Sequence, residues 1–370
     1  MENVIKKFEE TLKQLPLVAL DNQAKLLFLA HFTRNLDDPV SVIVSGESGT
    51  GKTNLMTQVQ KFFAVNNYIE VTAMTAKAMA NLPKEIVIDR KTLMCGELAG
   101  IKSEDGNYIL RQALSEGKVT RWVPVEGKVG ETNKTVTQTV EGKFNIFLTT
   151  TDREMHPEDE NRFFRINIPN DEEYINYVLH KQIEFKNNPK EFEIDFSEWH
   201  QLSDEFIREI KPVKIDYMHK VVNTCKNKDK ARLVRDIIKV ISLIKVHTIL
   251  NHEYRDKVDG NLVSTLEDYE AIYDILSECF RSNDRFISRD IEQIVSFTKE
   301  ANKKGSNINQ TVIADVLNFK RSKTSRLCKV AEDLGLISNL STNGVNSSYV
   351  FIKDYKSVDF FLPNPKEIAA

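Results

Sequence analysis

Residues 41–53 read Ser-Val-Ile-Val-Ser-Gly-Glu-Ser-Gly-Thr-Gly-Lys-Thr, and the reading of this stretch decides the fold. The apolar run 41–44 predicts a buried strand. It leads into residues 46–53, which satisfy the phosphate-loop pattern G-x-x-x-x-G-K-[ST] at every fixed position. In such a loop the glycines let the backbone turn tightly and aim N–H groups at phosphate oxygens. A helix expected from about Lys52 adds the positive end of its dipole. The candidate nucleotide site is therefore Gly46, Glu47, Ser48, Gly49, Thr50, Gly51, Lys52 and Thr53. Lys52 would reach the β- and γ-phosphates, and Thr53 would offer its hydroxyl to Mg²⁺, so the implied ligands are ATP and Mg²⁺.

Upstream, Val4, Phe8, Leu12 and Leu15 recur at helical spacing, which predicts an N-terminal helical segment over 1–38. Downstream, residues 86–88 and 93–95 are strand candidates and 106–116 a helix. Residues 119–139 are rich in Thr and Val, with Gly127, Gly130 and Asn133 in the middle, which predicts a β-hairpin. A further strand, 144–148, ends in Thr149, Thr150 and Thr151. From Asp171 onward the chain reads as mainly helical, with a long apolar pattern over 231–250. The polar stretch 183–197, with Pro189, suits a connection between subdomains.

The bulk numbers set limits. A chain of 370 residues suggests two or three domains. With 41% hydrophobic and 28% charged residues it reads as globular. The net charge of −3 gives no overall electrostatic address, so local clusters matter. Cys95, Cys225, Cys279 and Cys328 are scattered without a CxxC pair, which points away from zinc and redox motifs and toward a reduced interior. Residues 1–20 lack the apolar core of a signal peptide, and no apolar run approaches the ~18–20 residues that span a bilayer. The expectation is a soluble, cytoplasmic protein with no membrane partner.

Further motifs follow the loop in an informative order. Residues 89–97 read Asp-Arg-Lys-Thr-Leu-Met-Cys-Gly-Glu, residues 112–121 read Gln-Ala-Leu-Ser-Glu-Gly-Lys-Val-Thr-Arg, and residues 161–163 read Asn-Arg-Phe. Over about residues 35–285 the chain resembles AAA+ ATPases of the pre-sensor-1 hairpin group, and among them the minichromosome-maintenance (MCM) helicases. The resemblance implies a Walker B strand ending in the catalytic glutamate, Glu97. The position before it, an aspartate in the family, is Gly96 here. It implies a hairpin over 118–143 that touches DNA in a central channel, with Lys128 and Lys134 near its tip. It implies a sensor-1 residue at Thr150 or Thr151, an arginine finger at Arg162 with Arg165 as the nearby alternative, and a sensor-2 arginine at Arg235. His247, on the same helix as Arg235, reads as structural.

Residues 284–352 resemble a winged helix-turn-helix, with a supporting helix over 308–317 and a recognition helix over 322–334. A wing would follow from Gly335, turning near Gly344. Residues 301–330 hold seven basic residues, Lys303, Lys304, Lys320, Arg321, Lys323, Arg326 and Lys329, against the single acid Asp315. Lys320, Arg321, Lys323 and Arg326 are the candidate duplex contacts, with Ser322, Thr324 and Ser325 as phosphate donors.

The expected fold is thus α/β: an AAA+ P-loop core (39–182), a helical lid (183–283) and a C-terminal winged helix domain (284–370). The expected function is an ATP-hydrolysing, MCM-like DNA helicase serving a phage, plasmid or other mobile element. It would be a homo-oligomer, a hexamer in this reading, with single-stranded DNA in its channel and duplex on the winged helix. The alternative is an ATP-switched initiator or helicase loader that unwinds nothing, which the glycine at Gly96 favours. A protein-remodelling ATPase of the same group is disfavoured by the basic C-terminal helix.

Overall fold

In the computed structural model of the chain, the residues described are 3–15, 20–75, 86–99, 104–125, 134–151, 161–188, 194–226, 231–284, 289–306, 308–333, 335–341, 347–352 and 360–369. The apolar run before the phosphate loop forms β1 (Ser41–Ser45), buried along its whole length. Its side chains alternate between two cores: Val42 and Val44 enter one cluster and Ile43 the other. That is the period of two in a strand covered on both faces.

Helices α1 (Val4–Leu12) and α2 (Asp21–Phe32) precede β1. They do not stand apart, since Phe8, Leu12, Phe28 and Phe32 join the first cluster. After β1 come α3 (Lys52–Gln60), β2 (Tyr68–Thr75), β3 (Thr92–Ala99), α4 (Glu104–Glu116), β4 (Lys118–Val125), β5 (Lys134–Glu141), β6 (Asn145–Thr150) and β7 (Phe163–Asn167). Five strands form one sheet in the order β2-β3-β6-β1-β7, and every neighbouring pair is parallel. Ser45 is level with Thr150 and with Asn167, so three strands finish together beside the loop. Open parallel sheets take ligands at this carboxyl edge.

One strand expectation needs correction. Residues 86–88 are not a strand: Ile86 and Val87 are exposed, and only Ile88 is buried. The backbone turns at Arg90, with φ 56°, before β3 can begin. The sheet's two edge strands, β2 and β7, are ones the sequence reading passed over.

β4 and β5 form an antiparallel ribbon, paired from Lys118↔Glu141 to Val125↔Lys134. The chain then continues through α5 (Glu172–Asn187), α6 (Ser197–Arg208), β8 (Val213–Lys214), α7 (Met218–Thr224), α8 (Ala231–Leu250), β9 (Lys257–Val258), β10 (Asn261–Val263) and α9 (Leu266–Asp284). α5 runs through residues 183–187, which the sequence reading gave to a connection. Trp199, Phe206, Val240, Leu243 and Tyr269 all enter the first cluster, so the helices after β7 share the core of the sheet.

By packing, residues 1–282 and 360–370 make one unit and 283–359 a second. The second contains α10 (Arg289–Lys303), α11 (Gln310–Leu317), α12 (Arg321–Asp333) and the antiparallel pair β11 (Ile337–Asn339) and β12 (Tyr349–Phe351). Ile294, Ile313, Cys328, Leu336 and Tyr349 form its core. The turn from α11 to α12 opens with Asn318 in the left-handed region, at φ 54°. The last helix, α13 (Pro365–Ala369), was expected in the C-terminal domain 284–370 but belongs to the first unit. The reason is apolar: Phe361, Leu362 and Ile368 join the first cluster, and the Tyr269 hydroxyl donates to the Pro363 carbonyl at 2.7 Å.

Candidate functional site

The phosphate loop leaves β1 at the carboxyl edge and is fastened on both sides. Gly46 N–H donates to the Thr150 carbonyl at 3.3 Å, and Ile168 N–H donates to the Ser45 carbonyl at 2.8 Å. A Cβ on Gly46 would meet Thr50 Oγ1 at 2.9 Å and Ile168 Cβ at 3.3 Å, so the first glycine is required by close packing. Gly49 (φ 83°) and Gly51 (φ 96°) occupy backbone space that other residues resist. Gly51 caps α3, so the helix N-terminus faces the loop.

Lys52 is buried, and its Nζ donates to the carbonyls of Gly46 (2.9 Å) and Glu47 (2.6 Å). Burial lowers its pKa, with Glu47 opposing the shift. Thr53, in the first turn of α3, is exposed. These residues fit ATP and Mg²⁺: an anion-seeking loop, a cation resting on it, and an accessible hydroxyl.

Two strands over from β1, the backbone of Glu97 pairs with Ala73 of β2, toward the carboxyl end of β3. Gly96 has a steric cause, since a Cβ there would lie 2.7 Å from the Thr72 carbonyl oxygen. The aspartate that the resemblance places at this position does not fit without moving β2. Of Thr149 and Thr150, which end β6, and Thr151 just past it, Thr149 is buried and its hydroxyl donates to the Gly96 carbonyl. Thr150 is half-buried, level with Ser45, and Thr151 is exposed.

Arg162 and Arg235 do not approach this loop. They line one cavity of about 190 Å³ with Asp37, Ser41, Ser115 and Lys143. Ser41 begins β1 and the loop follows its end, so the cavity lies at the opposite edge of the sheet. The separation is on the order of 13 Å, from ~3.3 Å per strand residue. The Arg162 guanidinium donates to Ser115 Oγ. Arg235 is exposed on α8, one turn before Lys239. Lys239 is buried, and its ammonium donates to Asp236 Oδ1 (2.8 Å) and the Phe163 carbonyl (3.0 Å).

On the ribbon, Lys128 lies outside the described residues, and Lys134 is the rung opposite Val125. The sequence reading missed Trp122, which is 78% exposed on β4 opposite Thr137. Thr120, Thr135, Thr137 and Thr139 are exposed as well, whereas Val119 on the other face is buried. A strand face of one tryptophan among threonines was the available signal, because a tryptophan is ordinarily mostly buried.

In the second unit, Lys320, Arg321, Ser322, Ser325, Arg326 and Lys329 are exposed at the start and along one side of α12. Two expected contacts are spoken for. Lys323 is half-buried, paired with Asp290 at 2.8 Å and seated 4.5 Å from the Phe319 ring centroid. Thr324 is buried and its hydroxyl donates to the Lys320 carbonyl at 3.2 Å, so it cannot serve as a phosphate donor.

Among the described residues no cluster of metal-ligating side chains occurs, and no helix is long and apolar enough to cross a membrane. No protein-family model matches the chain, and no curated protein matches its sequence. Solved structures do resemble it. A full-length MCM homologue from Methanopyrus kandleri aligns at 11% identity with a TM-score of 0.43, covering 76% of this chain and 59% of that one. The helicase Cch of SCCmec type IV aligns at 11% identity with a TM-score of 0.34, covering 88% and 67%. The Holliday junction branch migration motor RuvB of Thermotoga maritima aligns at 11% identity with a TM-score of 0.31, covering 89% and 91%. The chain thus spans less than two thirds of the MCM homologue. Likenesses this distant assign neither a family nor an activity.

Proposed function

We propose that the chain is an AAA+ P-loop ATPase that hydrolyses ATP as a homo-oligomer and acts on DNA as an MCM-like helicase. The observation that carries the reading is the split between the two edges of one sheet. A complete phosphate loop sits at the carboxyl edge, and Arg162 and Arg235 share a cavity at the amino edge, out of its reach. Guanidiniums that stabilise charge on a γ-phosphate must lie beside it. In this reading they serve the nucleotide of a second copy of the chain.

Within one copy, Lys52 would leave the Gly46 and Glu47 carbonyls for the β- and γ-phosphates, and Thr53 would ligate Mg²⁺, which screens phosphate charge. Glu97, at the carboxyl end of β3, is the group assigned to orient the attacking water. Thr150, level with the loop, is the better placed of the two sensor-1 candidates. The ribbon supplies the single-strand contact, where Trp122 offers a stacking plate beside threonine hydroxyls. The second unit, read as a winged helix, supplies duplex contact through Lys320, Arg321 and Arg326.

The second reading, an ATP-switched initiator or loader, is favoured by one observation: the space for the absent acid at Gly96 is filled by β2 backbone. Steady-state ATP turnover with and without single-stranded DNA separates the two, with Lys52→Ala as the blank. Turnover that rises with DNA supports the motor. Saturable ATP binding without turnover under either condition supports the switch and removes the motor.

A further inference from the structure

The phosphate loop has one contact that its sequence pattern does not specify. The Tyr174 hydroxyl, on the first turn of α5, donates to the Thr50 carbonyl at 3.2 Å in a buried position. The same hydroxyl lies 3.7 Å from where a Cβ on Gly51 would stand. Tyr174 is itself held: its N–H donates to Asp171 Oδ1 at 2.9 Å, which caps α5, and its side chain is buried while Ile175 and Val178 of the same helix pack half-buried against the core.

A trans peptide unit points its C=O and the following N–H in opposite directions. The plane between Thr50 and Gly51 is free to flip, because Gly51 is a glycine at φ 96° and tolerates either orientation. With the Thr50 carbonyl turned out to a phenol, the Gly51 N–H must face the other way, where an anion would be bound. A flipped plane would present a carbonyl lone pair to the phosphates.

We infer that Tyr174 is a positioning residue for the phosphate loop: its hydroxyl holds the Thr50–Gly51 peptide with the N–H toward bound phosphate. The inference rests on the phosphate-loop reading above. It extends that reading to a residue 124 positions away from Thr50 and on a separate helix. Removing the hydroxyl strips the peptide of one net hydrogen bond, which corresponds to an affinity loss of about 3- to 10-fold.

The test compares Tyr174→Phe with the unaltered chain, using equilibrium binding of Mg²⁺·ATP and of inorganic tripolyphosphate, which engages only the loop. Asp171→Ala is the structural control, because it unfastens the cap of α5 and leaves the hydroxyl in place. Thermal midpoints without ligand are read for all three. The expected result is weaker binding of both ligands by the same factor in Tyr174→Phe, beyond any loss in Asp171→Ala at matched stability. Unchanged affinity in Tyr174→Phe overturns the inference, as does an equal loss in Asp171→Ala. If the unaltered chain binds neither ligand, or binds both equally well after Lys52→Ala, the phosphate-loop reading itself fails and the inference falls with it.

Discussion

At the scale of single residues, partners decide what a side chain is able to do. Arg162 and Arg235 line one cavity at the amino edge of the sheet. If they act on a neighbouring copy, Arg162→Ala should spare ATP binding and lower kcat by about 10³-fold or more. Mixing Arg162→Ala chains with Lys52→Ala chains should then restore part of the turnover, since some junctions regain an intact loop facing an intact arginine. No recovery in the mixture would place both groups in one copy's site. Asp268 illustrates the structural side. Its carboxylate accepts from His247 Nδ1 (2.6 Å), from Arg255 Nε (2.9 Å) and Arg255 Nη2 (2.8 Å). Burial raises its pKa, but the hydrogen bonds from His247 and Arg255 outweigh this and hold it well below the usual carboxylate range. A depressed folded pKa contributes stability that is complete above the unfolded value of ~4 and is lost as pH falls below it. Asp268→Ala should cost about 3–5 kcal/mol near neutrality, because Arg255 and His247 lose the buried carboxylate they share. Denaturant melts at pH 7 and pH 3 check this: the gap between the two chains should shrink at the lower pH.

At the scale of elements, contiguous signals were readable and distant ones were not. The loop and β1 could be read because all their determinants lie within residues 41–53. Tyr174 could not, since its partner is fixed by the fold. β2 was missed because an edge strand has no continuous apolar run, and residues 86–88 misled because Ile86 and Val87 are apolar yet exposed. Gly96 looked like a lost acid, and the structure adds that β2 occupies the space. On the ribbon, Trp122→Ala should weaken single-strand binding by about 1–3 kcal/mol, the range for a stacked base, and leave basal ATP turnover alone. Fluorescence anisotropy on an oligothymidylate measures it, and unchanged affinity would remove Trp122 from the contact. On α12, charge alone overcounted the available cations, because Lys323 is engaged by Asp290. Duplex affinity should therefore fall more in Arg321→Ala with Arg326→Ala than in Lys323→Ala. The salt slope should fall by about two in the former. Equal effects would contradict this placement.

At the scale of the whole molecule, the sequence announced an α/β core and a separate C-terminal unit, because phosphate-loop and charge patterns are local. It could not announce that residues 360–369 return to the first unit, nor that the helices after β7 share the core of the sheet, because both depend on long-range apolar packing. Everything proposed for this assembly depends on residues 46–53 holding a nucleotide. The most direct test is equilibrium binding of Mg²⁺·ATP to the full chain and to Lys52→Ala, measured by calorimetry at matched protein stability. Saturable binding that disappears in Lys52→Ala is the predicted result. Binding that is equal in the two chains, or absent from both, would contradict the account at its base.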